Sequence, residues 1–158
     1  MKRMILFLLI LGAMLTLTAC QEETARQQSF YYLRTEDTIA YGREDALIVA
    51  VPQEFSPETE LEILLQLYLD GPVDEDHRNP FPRRTYLLST IEHEDTLLVV
   101  LSREFSTLDG MQLTLAGACL AATCRDLTGF EKIQVRSGEN TYDFDVNSFV
   151  FLDTSPEK

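Results

Sequence analysis

Residues 56–72 read SPETELEILLQLYLDGP, and this stretch carries the strongest helix signals in the chain. Ser56 is a favourable N-cap, and Pro57 suits the first helical position, where its missing N–H costs no hydrogen bond. Leucines and Tyr68 then recur at helical spacing and form an apolar face. Gly71-Pro72 predicts the end of the helix, because glycine accepts the left-handed conformation there and proline cannot continue a helix.

The apolar face of this helix is wide, since Ile63, Leu67 and Leu69 flank its central stripe, and a wide face favours packing on a sheet. Strand signals lie on both sides of the helix, as β-branched, aromatic or alternating apolar residues between turn residues. Pro52 is expected to end the second of these strands. The predicted strands are residues 30–33, 46–51, 85–92, 96–101, 133–135 and 142–146, with a turn at 42–45 and a short edge strand at 149–152. Residues 85–92 and 96–101 are expected to form a hairpin, and the second of these strands, apolar on both faces, is expected to be central in the sheet.

Residues 108–127 are apolar almost all round and predict a second helix, inside the core, that ends at Gly129. Cys119 and Cys124 lie in this helix five positions apart, which puts their Cα atoms about 8 to 9 Å from each other, too far for a disulfide. We expect both to be buried free thiols. The element order, β, β, α, β, β, α, β, β, predicts an α+β fold: a largely antiparallel sheet with two helices packed on one face.

The N-terminus has the organisation of an export signal. Basic Lys2 and Arg3 precede an apolar run that ends in Leu17-Thr18-Ala19-Cys20, which resembles the bacterial lipobox. This predicts cleavage between Ala19 and Cys20 and attachment of lipid to Cys20, whose acyl chains would hold the protein on the outer face of the cytoplasmic membrane. An ordinary secretory signal with a nearby cysteine and an uncleaved anchor helix are the alternatives.

The predicted organisation is a lipoprotein signal peptide at 1–19, a flexible tether at 20–28, one domain at 29–152 and a tail at 153–158. Both basic residues of the signal are lost on cleavage, which leaves 11 basic and 26 acidic residues and a net charge of −15. A chain this acidic is unsuited to binding nucleic acid or to lying on an anionic bilayer. We therefore expect contact with the membrane only through Cys20.

The predicted domain contains only weak candidates for a catalytic, metal-binding or partner-binding site. His77 and His93 lie in polar contexts without a serine on a sharp turn nearby, and the acidic run at residues 74–76 lacks the glycine of a calcium loop. Arg83 and Arg84 could bind a carboxylate or phosphate of a partner, or could pair with the acidic surface of the domain itself. We predict no catalytic residue, metal ligand or cofactor.

Five short motifs together resemble the GerMN domain of sporulation and spore germination. Its helix that ends in Gly-Pro corresponds to residues 62–72 (EILLQLYLDGP), and its entry into the hairpin corresponds to FPRRT. The other matches are residues 31–33 with the strand at 47–51, residues 101–105 (LSREF), and the small-residue helix that precedes residues 132–135 (KIQV). Val100 departs from the pattern, because the family often has Asp at that position.

The resemblance implies a function without catalysis. Members of this family are commonly exported proteins or lipoproteins of the cell envelope, linked to sporulation, germination or assemblies at the cell wall. We therefore expect a lipid-anchored extracytoplasmic module that binds or scaffolds a protein of an envelope complex. A small ligand-binding or glycan-binding lipoprotein, and a wall hydrolase, are the alternatives.

Overall fold

Seven strands and two α-helices form the described part of the chain. The structure is a computed structural model, and it describes residues 25–35 and 47–149. The helices are α1 (Leu61–Asp70) and α2 (Gly110–Thr128), and short 3-10 turns lie at Phe105–Thr107 and Val146–Ser148. The strands are β1 (Arg26–Arg34), β2 (Ile48–Phe55), β3 (His77–Arg78), β4 (Leu87–His93), β5 (Thr96–Leu101), β6 (Lys132–Ser137) and β7 (Asn140–Asp145).

The predicted α+β class is confirmed, and the strands divide between two sheets where the sequence pattern predicted one. One sheet has the order β2-β1-β3 and the other β4-β5-β6-β7. Neighbouring strands are antiparallel except β5 and β6, which are parallel because α2 crosses over between them. β5 is central, as predicted from its apolar residues on both faces.

α2 is the centre of the core. Residues 116–124 are buried without interruption, which confirms the predicted core position for this part of the helix, whereas its first turn is largely exposed. The helix contacts β1 of the first sheet and β6 and β7 of the second, so both sheets bury side chains against it. Gly117 makes part of this packing possible, because a Cβ atom there would lie less than 3.0 Å from the ring of Phe144.

Side chains of the two helices form hydrogen bonds with backbone groups of β1 on the edge that faces away from β2. A further strand would otherwise pair with this edge. The N–H of Tyr31 donates to Oγ1 of Thr123 on α2 at 2.9 Å, and the hydroxyl of Tyr68 on α1 donates to the carbonyl of Tyr31 at 2.8 Å. Tyr32 in turn donates its hydroxyl to the carbonyl of Tyr68 at 3.0 Å. Because helices occupy this edge, β1 does not join the four-stranded sheet.

The start of α1 differs from the prediction. β2 continues through Pro52 to Phe55, and residues 57 and 58 form a turn closed by the Thr59 N–H on the Ser56 carbonyl at 3.0 Å. Proline is tolerated in β2 because this is an edge strand. The helix therefore begins at Leu61 without a side-chain cap, and the Ser56 N-cap prediction was wrong.

The predicted end of α1 is confirmed. Gly71 has a φ of 101°, and its N–H donates to the carbonyl of Tyr68 at 3.1 Å. The ψ of Gly71, 174°, lies outside the predicted left-handed helical region, whereas Gly129, which ends α2, is left-handed with a φ of 86° and a ψ of −5°. The hairpin of β4 and β5 also forms as predicted.

Two ordered segments were not predicted. β1 begins at Arg26, inside the segment expected to be a tether, and Gln28 is buried with its amide donating to the carbonyl of Leu127 at 3.3 Å. β3 lies in a stretch expected to be a loop, where only Leu33 and Arg34 pair with it. The signal peptide at 1–19, Cys20, the turn at 42–45, residues 150–152 of the proposed edge strand and the tail at 153–158 lie outside the described residues.

Candidate partner-binding surface

A groove with apolar walls lies between α1 and the edge strand β4. We call the four residues Ile63, Leu67, Leu87 and Leu88 the apolar groove; together with Glu62 and Gln66 they line a volume of about 410 Å³. Ile63 is 51% exposed, Leu67 47% and Leu88 57%. Large apolar side chains that are exposed together are typical of a surface that binds another molecule.

Polar side chains of α1 hold the groove in shape. The Oε1 of Gln66 accepts the backbone N–H of Leu87 at 3.0 Å, while its Nε2 donates to Oδ1 of Asp70 at 2.9 Å. Near the other end of the helix, the hydroxyl of Thr90 donates to the carboxylate of Glu62. α1 therefore runs antiparallel to β4 and already occupies a backbone donor of this edge strand, so that Leu87 cannot use its N–H to pair with an added strand.

The exposure of Ile63 and Leu67 corrects the prediction that they widen the packing face of α1. Leu64, Leu65, Tyr68 and Leu69 are the buried residues of this helix. α1 lies alongside the edge of the four-stranded sheet, so its neighbours cover only part of its circumference. The apolar residues on the remaining part face solvent and become one wall of the groove.

Arg83 and Arg84 lie in an exposed turn that leads into β4. The N–H and the hydroxyl of Thr85 both donate to the carbonyl of Pro82, at 3.1 and 2.8 Å, and Arg84 has a left-handed φ of 68°. The hydroxyl of Ser102 donates to the carbonyl of Arg84 at 3.3 Å, which brings the exposed Arg103 to the same end of the sheet. We call Arg83, Arg84 and Arg103 the arginine corner.

No ion pair within the described part of the chain involves the arginine corner. Within residues 25–35 and 47–149, no carboxylate lies within 4.0 Å of these three side chains, so pairing with the acidic surface, the alternative considered for Arg83 and Arg84, does not occur there. Glu104 is the acidic residue they influence: hydrogen bonding from Ser102 lowers the pKa of its carboxyl most, followed by its own backbone N–H and by Arg103 and Arg84. Glu104 therefore stays ionised near the corner.

A second cavity, of about 400 Å³, lies where β1 ends and α2 begins. Its walls mix apolar side chains with Arg78, Asn79 and Gln112, and two prolines, Pro80 and Pro82, form part of its rim. The histidines lie elsewhere: His77 contacts the carboxylate of Asp74, and His93 is exposed at the end of β4. This cavity brings together no pair of side chains suited to acid–base chemistry.

Cys119 and Cys124 are buried free thiols, as predicted. Burial raises the pKa of both thiols to about 12, so they stay protonated at physiological pH and are poor nucleophiles. In the described residues, no three Cys, His, Asp or Glu side chains form a group that could hold a metal ion. No helix in the same residues is long and apolar enough to cross a membrane.

Comparison with known proteins identifies the family. The family model Germane, described as sporulation and spore germination, matches residues 29–143, more than half of the chain. No curated protein matches the chain significantly.

Two solved structures align with most of this chain, and the first of them shares its fold. The tandem GerMN domains of the sporulation protein GerM from Bacillus subtilis superpose with a TM-score of 0.54 and 14% identity, over 75% of this chain and 41% of that one. A candidate lipoprotein from Clostridium perfringens superposes with a TM-score of 0.42 and 20% identity, over 78% of this chain and 89% of that one. The chain spans about two fifths of the GerM structure. From the family match we conclude that this chain belongs to the Germane family of sporulation and spore germination.

Proposed function

We propose that this protein is a non-catalytic binding or scaffolding module of the bacterial cell envelope, anchored by lipid on Cys20 to the outer face of the cytoplasmic membrane. It holds a protein partner in the apolar groove, within an assembly that acts in sporulation or germination. The family match supports the sporulation context, and the order of basic, apolar and small residues before Cys20 supports the anchor.

The exposed apolar groove is the observation that carries the proposal. Ile63, Leu67 and Leu88 each leave about half of their side chain in water. Burial of the exposed half of each side chain by a partner would contribute about 1 kcal/mol to the free energy of binding for each residue, or roughly 3 kcal/mol in total. That contribution suits the centre of a protein interface whose remaining contacts are polar.

A photo-reactive amino acid placed at Leu67 or Leu88 of the full-length protein in its own cells tests the groove. We expect each position to give a discrete protein adduct after irradiation. Met111, which is 72% exposed at the start of α2, is the matched control and should give none. Equal adducts from all three positions, or none from the groove, would contradict the proposal.

The anchor is tested separately by growing cells with a labelled fatty acid. The wild-type protein should take up the label, and Cys20→Ala should not. A Cys20→Ala protein that still carries the label would rule out the proposed attachment site.

A further inference from the structure

We propose that the arginine corner binds an acidic segment of the same protein partner whose apolar side chains fill the apolar groove. This inference rests on the proposed function and gives the partner its chemistry: an amphipathic segment with carboxylates at one end. It also gives the segment a direction across the surface.

The two surfaces are continuous. β4 supplies one wall of the groove, starting at Leu87, and Arg84 lies only three residues earlier, about 10 Å of extended chain. Between them, Tyr86 is 50% exposed and provides an aromatic contact. A single segment of two or three turns could therefore reach from the groove to the arginines.

Charge complementarity sets the composition of the segment. The chain has a net charge of −13, so most of its surface repels an acidic partner. The arginine corner is an exception, because its three guanidinium groups are exposed and have no ion pair with a described carboxylate. Arginine presents a planar set of donors that binds carboxylates bidentately.

The opposite end of the groove makes the binding directional. Glu62 lies there with its carboxylate accepting from Thr90, far along α1 from the arginine corner. A segment with its acidic end over the arginines avoids repulsion at Glu62, and the three guanidinium groups outnumber the two carboxylates, of Asp70 and Glu104, at their own end of the groove. The reversed segment would place carboxylates against Glu62 and leave the arginines without partners.

The apolar groove favours a protein over an anionic polymer of the cell wall. A phosphate-bearing polymer could bind the arginines, but it has no large apolar side chains with which to cover Ile63, Leu67 and Leu88. A peptide segment can satisfy both surfaces at once.

Photo-crosslinking from Leu67 in intact cells tests the inference, now in the background of Arg83→Glu/Arg84→Glu. We expect the yield of the Leu67 adduct to fall by about tenfold or more, since charge reversal replaces attraction by repulsion. Arg83→Lys/Arg84→Lys keeps the charge but loses the bidentate geometry, so its yield should fall between those of the wild type and the Glu variant. Arg26→Glu/Lys132→Glu makes the same change in net charge at the other end of the domain and should leave the yield unchanged. Immunoblotting and protease resistance of each variant check that it is present and folded.

The outcomes separate the inference from the proposed function. A strong Leu67 adduct that the Glu variant leaves unchanged would overturn the acidic segment while the groove proposal survives. Absence of any adduct in the wild type would overturn both. Mass spectrometry of the adduct should find a partner peptide with acidic residues next to apolar ones. An adduct that resists protease and is released by phosphodiester hydrolysis would identify an anionic polymer and refute the protein segment.

Discussion

Replacing Tyr68 by Phe tests the hydrogen bonds through which α1 satisfies the edge of β1. Tyr68 is fully buried, and burial, the largest of several causes, raises the pKa of its phenol well above the ordinary value of 10.0, so the hydroxyl remains a donor at neutral pH. In Tyr68→Phe the partly buried carbonyl of Tyr31 loses this donor. Removing a donor from a buried acceptor costs about 1–3 kcal/mol, and we expect about 2 kcal/mol here.

Tyr32→Phe is the matched control, because it removes the same atom from a neighbouring buried ring. The carbonyl of Tyr68 that loses the Tyr32 hydroxyl still accepts the N–H of Gly71 at 3.1 Å. The expected cost is therefore only about 0.5–1 kcal/mol.

Urea unfolding followed by circular dichroism on the protein that starts at Gln21 measures both free energies of unfolding. Thermal unfolding of the same proteins gives a second measurement. One kcal/mol corresponds to roughly 3 °C in a chain of this size, so the melting temperature should fall by about 6 °C in Tyr68→Phe and by about 2–3 °C in Tyr32→Phe. Equal losses, or a larger loss in Tyr32→Phe, would refute the assignment of the Tyr31 carbonyl to Tyr68.

Three further predictions concern packing, titration and exposure. Gly117→Ala should destabilise the protein by about 1–2 kcal/mol, because contact with the Phe144 ring outweighs the gain of about 1 kcal/mol in helix propensity; Gly117→Ala/Phe144→Val should recover part of that loss in urea unfolding. Cys119 and Cys124 should not react with a thiol reagent at pH 8 until the protein is unfolded. Because burial raises the pKa of both thiols from 9.0 to about 12, the stability due to the protonated thiols is complete below pH 9 and declines as the pH rises from 9 to 12. Urea unfolding at pH 8 and at pH 10.5 should detect this decline. Leu67→Ser should change the free energy of unfolding by about 0.5 kcal/mol or less, whereas Leu65→Ala on the buried face should cost about 2–5 kcal/mol; similar costs would contradict the two faces assigned to α1.

Local signals predicted the elements whose environment follows from their own residues. α2 is apolar on every side, so any fold that keeps it stable must bury it. Gly71 and Gly129 end their helices because glycine tolerates the backbone conformation required there. The alternation in residues 96–101 identified a central strand, since both of its faces are apolar.

The start of α1 could not be predicted from the same kind of signal. Ser56 and Pro57 are favourable at a helix N-terminus, but the ring of Phe55 packs 5.3 Å from that of Phe30 and keeps the chain extended as far as this residue. Phe30 and Phe55 are distant in sequence, so the residues around Ser56 alone do not predict this contact. β3 is similar: it is a two-residue strand of polar residues that forms because the end of β1 lies beside it.

The sequence by itself determined the family, the α+β class, the core helix, the unpaired thiols and the family-wide motifs that lead into the hairpin. Only the tertiary structure decided that the strands form two sheets and that Ile63 and Leu67 face solvent beside Leu88. It also brought Arg103 beside Arg83 and Arg84 without a carboxylate of the described chain to pair with them. The physical reason is that the sequence shows which residues of an element are apolar or charged. The positions of the neighbouring elements in the fold decide which of those residues are covered and which face solvent.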